Sequence, residues 1–140
     1  VEFYGNWTAE YNFAEVQARW PNVKYNGRIS MKDFYQAYGD AVACPLLAKK
    51  GYLETGFITP RIWEALIFGT LPLGLGSHRG INDYLPSNLV ARDSQDLGDL
   101  CEFLGKADGG TRGRLREEVA AKISFMDVKN FVDVLEKVTR

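Results

Sequence analysis

Residues 59–76 constrain the fold more than any other part of the chain, because they combine a helix start, a helix stop and a strand. Pro60 fits the first turn of a helix, where a missing N–H leaves no backbone hydrogen bond unmade. Gly69 fits the left-handed position that ends a helix. Leucine then occupies every second position over residues 71–75. This segment therefore predicts a short helix followed by a buried β-strand.

Two charged residues of this predicted helix, Arg61 and Glu64, lie three positions apart and so share one face. The N-terminus of a helix attracts anions. An arginine there suits a phosphate, and a carboxylate one turn later can accept hydrogen bonds from sugar hydroxyls. The alternative is a surface ion pair worth about 0.2–0.5 kcal/mol, and the two residues alone leave both interpretations open.

Strands alternate with helices along the chain, which favours one α/β domain over residues 1–140. We predict a Rossmann-like parallel sheet of about five strands, with helices on both faces and the C-terminal helices packed at its end. Ser30 and Ser94 are the expected caps of two helices. The predicted strands are 1–4, 23–25, 41–47, 71–75 and 88–91. Besides the helix from Pro60, the predicted helices are 8–20, 31–38, 94–104, 111–123 and 127–138.

Parallel sheets bind ligands at the carboxyl ends of their strands, so the site is expected among the loops 5–8, 27–30, 48–61 and 76–83. Gly5 and Asn6 form either a plain turn or a place where a diphosphate approaches backbone N–H groups. Lys49 and Lys50 are either point-charge phosphate binders or solvated surface residues. His78, the sole histidine, is expected to be polar loop surface, with a catalytic role as the alternative.

Residues 61–73, R-I-W-E-A-L-I-F-G-T-L-P-L, resemble the R-hydrophobic-aromatic-E-A-x-x-x-G-x-P segment of group-1-like glycosyltransferases of the GT-B fold. The similarity is to the spore-maturation glycosyltransferase-like branch, and it extends more weakly over nearly the whole chain. It covers the C-terminal, donor-binding half of such an enzyme. In that family the glutamate of this helix binds the ribose of the nucleotide-sugar donor, which here implies Glu64.

The resemblance also implies roles for other residues. Residues 27–30 are similar to the corner where GT-B donors place the base, so the backbone at Arg28 and Ile29 would read the base edge; a solvated Arg28 side chain is the alternative. Arg61 with Lys49 or Lys50 would hold the diphosphate, and Thr59 would complete the substrate-binding set. These residues imply a sugar transfer that needs no metal ion and no cofactor beyond the nucleotide diphosphate sugar.

One departure from the family pattern affects the stereochemistry. Retaining group-1 enzymes carry two glutamates eight positions apart, and the position eight residues before Glu64 is Gly56. Glu54 lies close but out of register, so either the first glutamate is absent or Glu54 takes its place through a shifted loop. Retention of configuration is therefore not implied.

The resemblance covers only a donor-binding half, so we expect an acceptor domain to be missing from this chain and the chain alone to be inactive. Val1 begins directly in a predicted strand, as in an excised or processed chain. The alternative function, from a different class, is a non-catalytic nucleotide or nucleotide-sugar binding module within a larger assembly.

Composition narrows the remaining possibilities. A net charge of −1 gives no electrostatic case for nucleic acid or an anionic membrane surface. No apolar run approaches the length of a membrane helix, and no signal peptide is visible. Cys44 and Cys101 lack a metal or redox spacing and are expected to be buried structural thiols, which favours a cytoplasmic setting.

Overall fold

The computed structural model describes residues 2–4, 18, 21 and 24–124. The chain divides into two compact units, Val1–Ala37 and Tyr38–Arg140. The helix predicted over 127–138 lies outside the described residues, as do Gly5 and Asn6 and all of the helix predicted over 8–20 except Ala18.

The first unit contains two short parallel strands, β1 (Glu2–Tyr4) and β2 (Lys24–Asn26). Glu2 lies opposite Lys24 in the register, and the Lys24 Nζ lies 2.9 Å from the Glu2 Oε1. Both side chains are solvent-exposed, so this ion pair contributes little to the free energy of unfolding.

Helix α1 (Met31–Asp40) starts as the sequence predicts and runs two residues further than expected. The Ser30 Oγ accepts a hydrogen bond from the Asp33 N–H at 3.1 Å and donates to the Asp33 carboxylate at 2.7 Å. This reciprocal contact satisfies a backbone donor that the first turn would otherwise leave unpaired.

The second unit is built on a three-stranded parallel sheet in the order β3 (Ala43–Pro45), β4 (Leu71–Leu75), β5 (Val90–Ala91). The prediction of one sheet of about five strands is not confirmed: the strands of the described residues lie in a two-stranded and a three-stranded sheet. The strand predicted over 41–47 is shorter, since β3 spans Ala43–Pro45. The strand predicted over 88–91 begins instead as a 3₁₀ turn, Ser87–Leu89.

Helices fill the connections of the second unit. They are α2 (Lys50–Thr55), α3 (Arg61–Ile67), α4 (Ile81–Tyr84), α5 (Ser94–Lys106) and α6 (Gly109–Ile123). Gly69, in the left-handed conformation with φ 81°, follows α3 as predicted. Helix α2 was not expected, because the sequence predicted a loop over its residues. No helix among the described residues is long and apolar enough to cross a membrane.

The hydrophobic core surrounds β4, which is buried from Leu71 to Gly74. Its fully buried members come from α3, β4, α4, the 3₁₀ turn, α5 and α6 and include Ile62, Leu71, Leu73, Ile81, Leu89, Leu104 and Val119. Gly74 allows the closest approach in this core, since a Cβ placed there would lie 2.5 Å from the Ile81 Cγ1.

Replacing Gly74 by alanine is therefore expected to destabilise the protein by about 1–3 kcal/mol through overpacking. The matched control is Gly98→Ala on an open face of α5, where an added Cβ meets nothing within 4 Å and helix propensity should add about 1 kcal/mol of stability. Denaturant unfolding of both variants measures the difference. Equal stabilities would contradict the packing of α4 on β4.

The cap of α5 differs from the prediction. The Asp93 Oδ1, and not Ser94, accepts a hydrogen bond from the Asp96 N–H at 2.9 Å, because Ser94 is already the first helical residue. Asp93→Ala is expected to lower the free energy of unfolding by about 1 kcal/mol, and Ser94→Ala is expected to leave it within about 0.5 kcal/mol. Thermal or denaturant unfolding of the two variants identifies the capping residue.

Candidate functional site

The candidate site lies at the carboxyl edge of the three-stranded sheet, where two segments meet. The first, residues 46–61, follows β3 and ends at the start of α3. The second, residues 76–80, follows β4. A hydrogen bond from the Arg79 N–H to the Leu53 carbonyl at 2.9 Å joins the two segments. The segments that follow β3 and β4 therefore meet at the carboxyl ends of these strands, where the sequence predicted the site.

Arg61 and Glu64 occupy the first turn of α3, which spans seven residues. The exposed Arg61 guanidinium donates through Nη1 to the Leu47 carbonyl at 3.4 Å, so it reaches back over the end of β3. Glu64 is half-buried. The salt bridges of the described residues do not include an Arg61–Glu64 pair, so the surface ion pair that the sequence allowed is not formed.

Tyr38 and Cys44 lie within electrostatic reach of these two charges. The Cys44 thiol donates a weak hydrogen bond to the Tyr38 hydroxyl at 3.8 Å. Burial raises the pKa of the Cys44 thiol, while the Tyr38 hydroxyl and the Arg61 charge lower it and the Glu64 charge raises it. The pKa of Tyr38 is raised, chiefly by burial and also by Cys44 and Glu64. Both groups therefore stay neutral near pH 7.

The two lysines of the first segment differ in their contacts. Lys50 is exposed and lies 3.6 Å from the Glu54 carboxylate, one turn along α2. Lys49 is exposed just before α2 and has no ion pair within the part of the chain that the structure describes. Glu54 is thus engaged with its own helix, where an exposed i,i+4 pair contributes only a few tenths of a kcal/mol. Lys49 is the more available of the two cations.

The remaining predicted residues are distributed as follows. Thr59 is half-buried, and its carbonyl accepts a hydrogen bond from the Ile62 N–H at 3.4 Å at the start of α3. Arg28 is exposed and Ile29 half-buried in the first unit. Gly5 and Asn6 lie outside the described residues.

His78 contradicts the expectation of polar loop surface, since it is 3% exposed. It sits between β4 and α4, and neither ring nitrogen has a hydrogen-bond partner among the described residues. The Ile81 N–H donates to the His78 carbonyl at 3.1 Å, which closes a turn between β4 and α4.

A separate surface groove of about 310 Å³ lies between the start of β5 and α5. Its lining includes the carboxylates of Asp96 and Asp99 beside Leu100 and Phe103, so it is unsuited to a phosphate. None of the predicted site residues lines it. Within the described residues, no group of three or more His, Cys, Asp or Glu side chains could hold a metal ion.

Three side chains at this edge of the sheet were not predicted from the sequence. Arg79 adds a cation beside the first segment, and Tyr52 and Phe57 form an exposed aromatic pair with ring centroids 5.1 Å apart. The signal that could have revealed the pair is Gly56, whose φ of 74° ends α2 and turns Phe57 back toward Tyr52. A glycine between two aromatic residues in a presumed loop indicates such a turn.

The chain was compared with protein-family models, curated proteins and solved structures, and no match was found.

The opposite effects of the Arg61 and Glu64 charges on the pKa of the Cys44 thiol can be tested by titration. In a Cys101→Ser background, Arg61→Gln should raise the pH at which the Cys44 thiol ionises, because a favourable positive charge is lost. Glu64→Gln should lower that pH, because an unfavourable negative charge is lost. The pH dependence of thiol alkylation measures both shifts. Arg114→Gln, on an exposed position of α6, is the control, and identical titrations in all variants would contradict the arrangement.

Proposed function

We propose that this chain is the donor-binding half of a GT-B glycosyltransferase, which transfers a sugar from a nucleotide diphosphate sugar to an acceptor. In this proposal Glu64 holds the ribose hydroxyls, and Arg61 with Lys49 or Lys50 holds the diphosphate. The resemblance assigns Arg28 and Ile29 to the base and Gly5, Asn6 and Thr59 to the rest of the donor. The proposal includes a Rossmann-like fold for the domain, and the parallel sheet β3–β4–β5 supports it.

The observation that carries the proposal is the state of Glu64. Glu64 is half-buried as a residue, and the described residues offer its carboxylate neither a hydrogen bond nor an ion pair, although Arg61 lies three positions away on the same helix. Its acceptor oxygens are therefore open to a ligand that donates hydrogen bonds. A ligand with two adjacent hydroxyls would supply the missing donors, and a ribose has them.

The charges around Glu64 suit the rest of such a donor. The segments 46–64 and 76–80 contain four basic side chains against two carboxylates. During transfer the bond between the sugar and the diphosphate breaks, and negative charge develops on the leaving diphosphate. Fixed cations near that oxygen stabilise the charge as it forms. The oxygen of the acceptor's hydroxyl forms the new bond to the sugar, and in such an enzyme the acceptor-binding half would position the acceptor and supply the base that takes the proton of this hydroxyl.

Replacing Glu64 by alanine is expected to weaken nucleoside diphosphate binding by at least about tenfold, since hydrogen bonds to a charged group contribute about 1.5–3 kcal/mol. Isothermal titration calorimetry of UDP and GDP into the full chain measures the loss. Glu117→Ala is the matched control, because it removes a glutamate from an exposed position of α6.

Saturable binding of one nucleotide that is lost in Glu64→Ala and kept in Glu117→Ala supports the proposal and identifies the base. Binding that survives in Glu64→Ala contradicts the role of this residue. A folded wild-type chain that binds neither UDP nor GDP contradicts a donor site formed by this chain.

A further inference from the structure

The two segments at the carboxyl edge of the sheet concentrate positive charge in a chain whose net charge is −1. Residues 46–61 and 76–80 hold one carboxylate, Glu54, and four basic side chains: Lys49, Lys50, Arg61 and Arg79. Lys50 lies beside Glu54, whereas the salt bridges of the described residues include none of the other three cations. Like charges at one sheet edge repel one another until an anion lies between them, so this edge favours an anionic ligand.

Arg79 is joined to Lys49 through the backbone of a single residue. The Leu53 N–H donates to the Lys49 carbonyl at 3.2 Å, and the Leu53 carbonyl accepts from the Arg79 N–H at 2.9 Å. Lys49 and Leu53 are one helical turn apart, about 5.4 Å along the axis. The side chains of Lys49 and Arg79 are exposed and long enough to span this separation, so their charged groups can meet at one phosphate.

Arg61 brings the third cation to the beginning of the same segment. Its Nη1 donates to the Leu47 carbonyl at 3.4 Å, two residues before Lys49. A guanidinium has five N–H donors, and this contact uses one of them. The others remain for a ligand, so Arg61 and Lys49 approach the edge from neighbouring positions.

Gly56 holds the backbone of Arg79 from a second side. Gly56 is in the left-handed conformation with φ 74°, and a Cβ at this position would lie 2.9 Å from the Arg79 carbonyl oxygen. The Arg79 N–H is bonded to Leu53 at the same time, so both backbone groups of Arg79 contact α2 or its end. A residue fixed in this way loses little further freedom when it binds a ligand, whereas a side chain at position 56 would displace it.

We propose that Arg79, Lys49 and Arg61 together bind one diphosphate group, and that Gly56 positions Arg79 for this contact. The assignment rests on the proposed function for the identity of the ligand, and it adds Arg79 to the residues that hold the diphosphate. The planar guanidinium of Arg79 matches two phosphate oxygens at once, whereas the Lys49 ammonium acts as a point charge. The diphosphate itself, without base or sugar, is therefore sufficient to occupy the site.

The test uses inorganic pyrophosphate as the probe. Isothermal titration calorimetry into the full chain, at about 0.15 M ionic strength, measures its affinity. Arg79→Gln is expected to weaken binding at least about tenfold, and Arg79→Lys to give an intermediate affinity, because the charge is kept and the paired contact is lost. Lys49→Gln should also weaken binding. Arg114→Gln is the matched control, since it removes the same charge from an exposed position of α6, and it should leave the affinity unchanged.

The role of Gly56 is tested in two backgrounds. Gly56→Ala should weaken pyrophosphate binding in the wild-type chain and cause no further loss in the Arg79→Gln chain, because it acts through Arg79. A general disturbance of the fold would lower the affinity in both backgrounds. A further loss in the Arg79→Gln chain therefore overturns the positioning role, and the Arg79 variants test the anion contact independently of it.

The outcomes separate this inference from the proposed function. Pyrophosphate binding that depends on Arg79 and Lys49, in a chain that binds neither UDP nor GDP, supports the anion site and contradicts the proposed donor. UDP or GDP binding that is lost in Glu64→Ala but kept in Arg79→Gln overturns the role of Arg79 and leaves the proposed function standing. A wild-type chain that does not bind pyrophosphate, or binds it equally in all variants, overturns the inference.

Discussion

The burial of β4 is the constraint on which the second unit depends. This strand is paired on both sides, with β3 and with β5, and its residues from Leu71 to Gly74 are buried. A central parallel strand of this kind must be covered by apolar side chains, and α3, α4 and α6 supply them. Gly74 lets Ile81 approach the strand closely, so α4 and the segment before it are held near the end of β4.

The fixed end of β4 in turn positions the candidate site. The segment after β4 is tied through the Arg79 N–H to α2, and α2 belongs to the segment that follows β3. Arg61 contacts the same segment at the Leu47 carbonyl. One backbone contact and one side-chain contact thus attach residues 49–61 and Arg79 to the same sheet edge.

Local signals predicted the parts of this fold that local chemistry determines. Gly69 ends α3, Ser30 caps α1, and the alternating leucines form β4, because each depends on neighbours within a few residues. Contacts between distant residues determined the two features that the sequence did not predict. Helix α2 ends at Gly56, whose backbone packs on Arg79. His78 is buried, although its polar neighbours in the sequence did not indicate this. The division into two sheets likewise depends on pairings between distant segments, and the predicted ligand roles stay predictions.

Arg61 and Glu64 share the first turn of α3, yet the salt bridges of the described residues include neither of them. Tyr38 and Cys44 interact electrostatically with both Arg61 and Glu64. Both groups stay neutral near pH 7, because burial raises the pKa of each. These neighbours therefore leave the charges of Arg61 and Glu64 uncompensated. Had the two residues paired with each other, each would have neutralised the other's charge and used part of its hydrogen-bonding capacity. In the proposed function, their separation lets Arg61 address an anion and Glu64 a pair of hydroxyls of the same ligand.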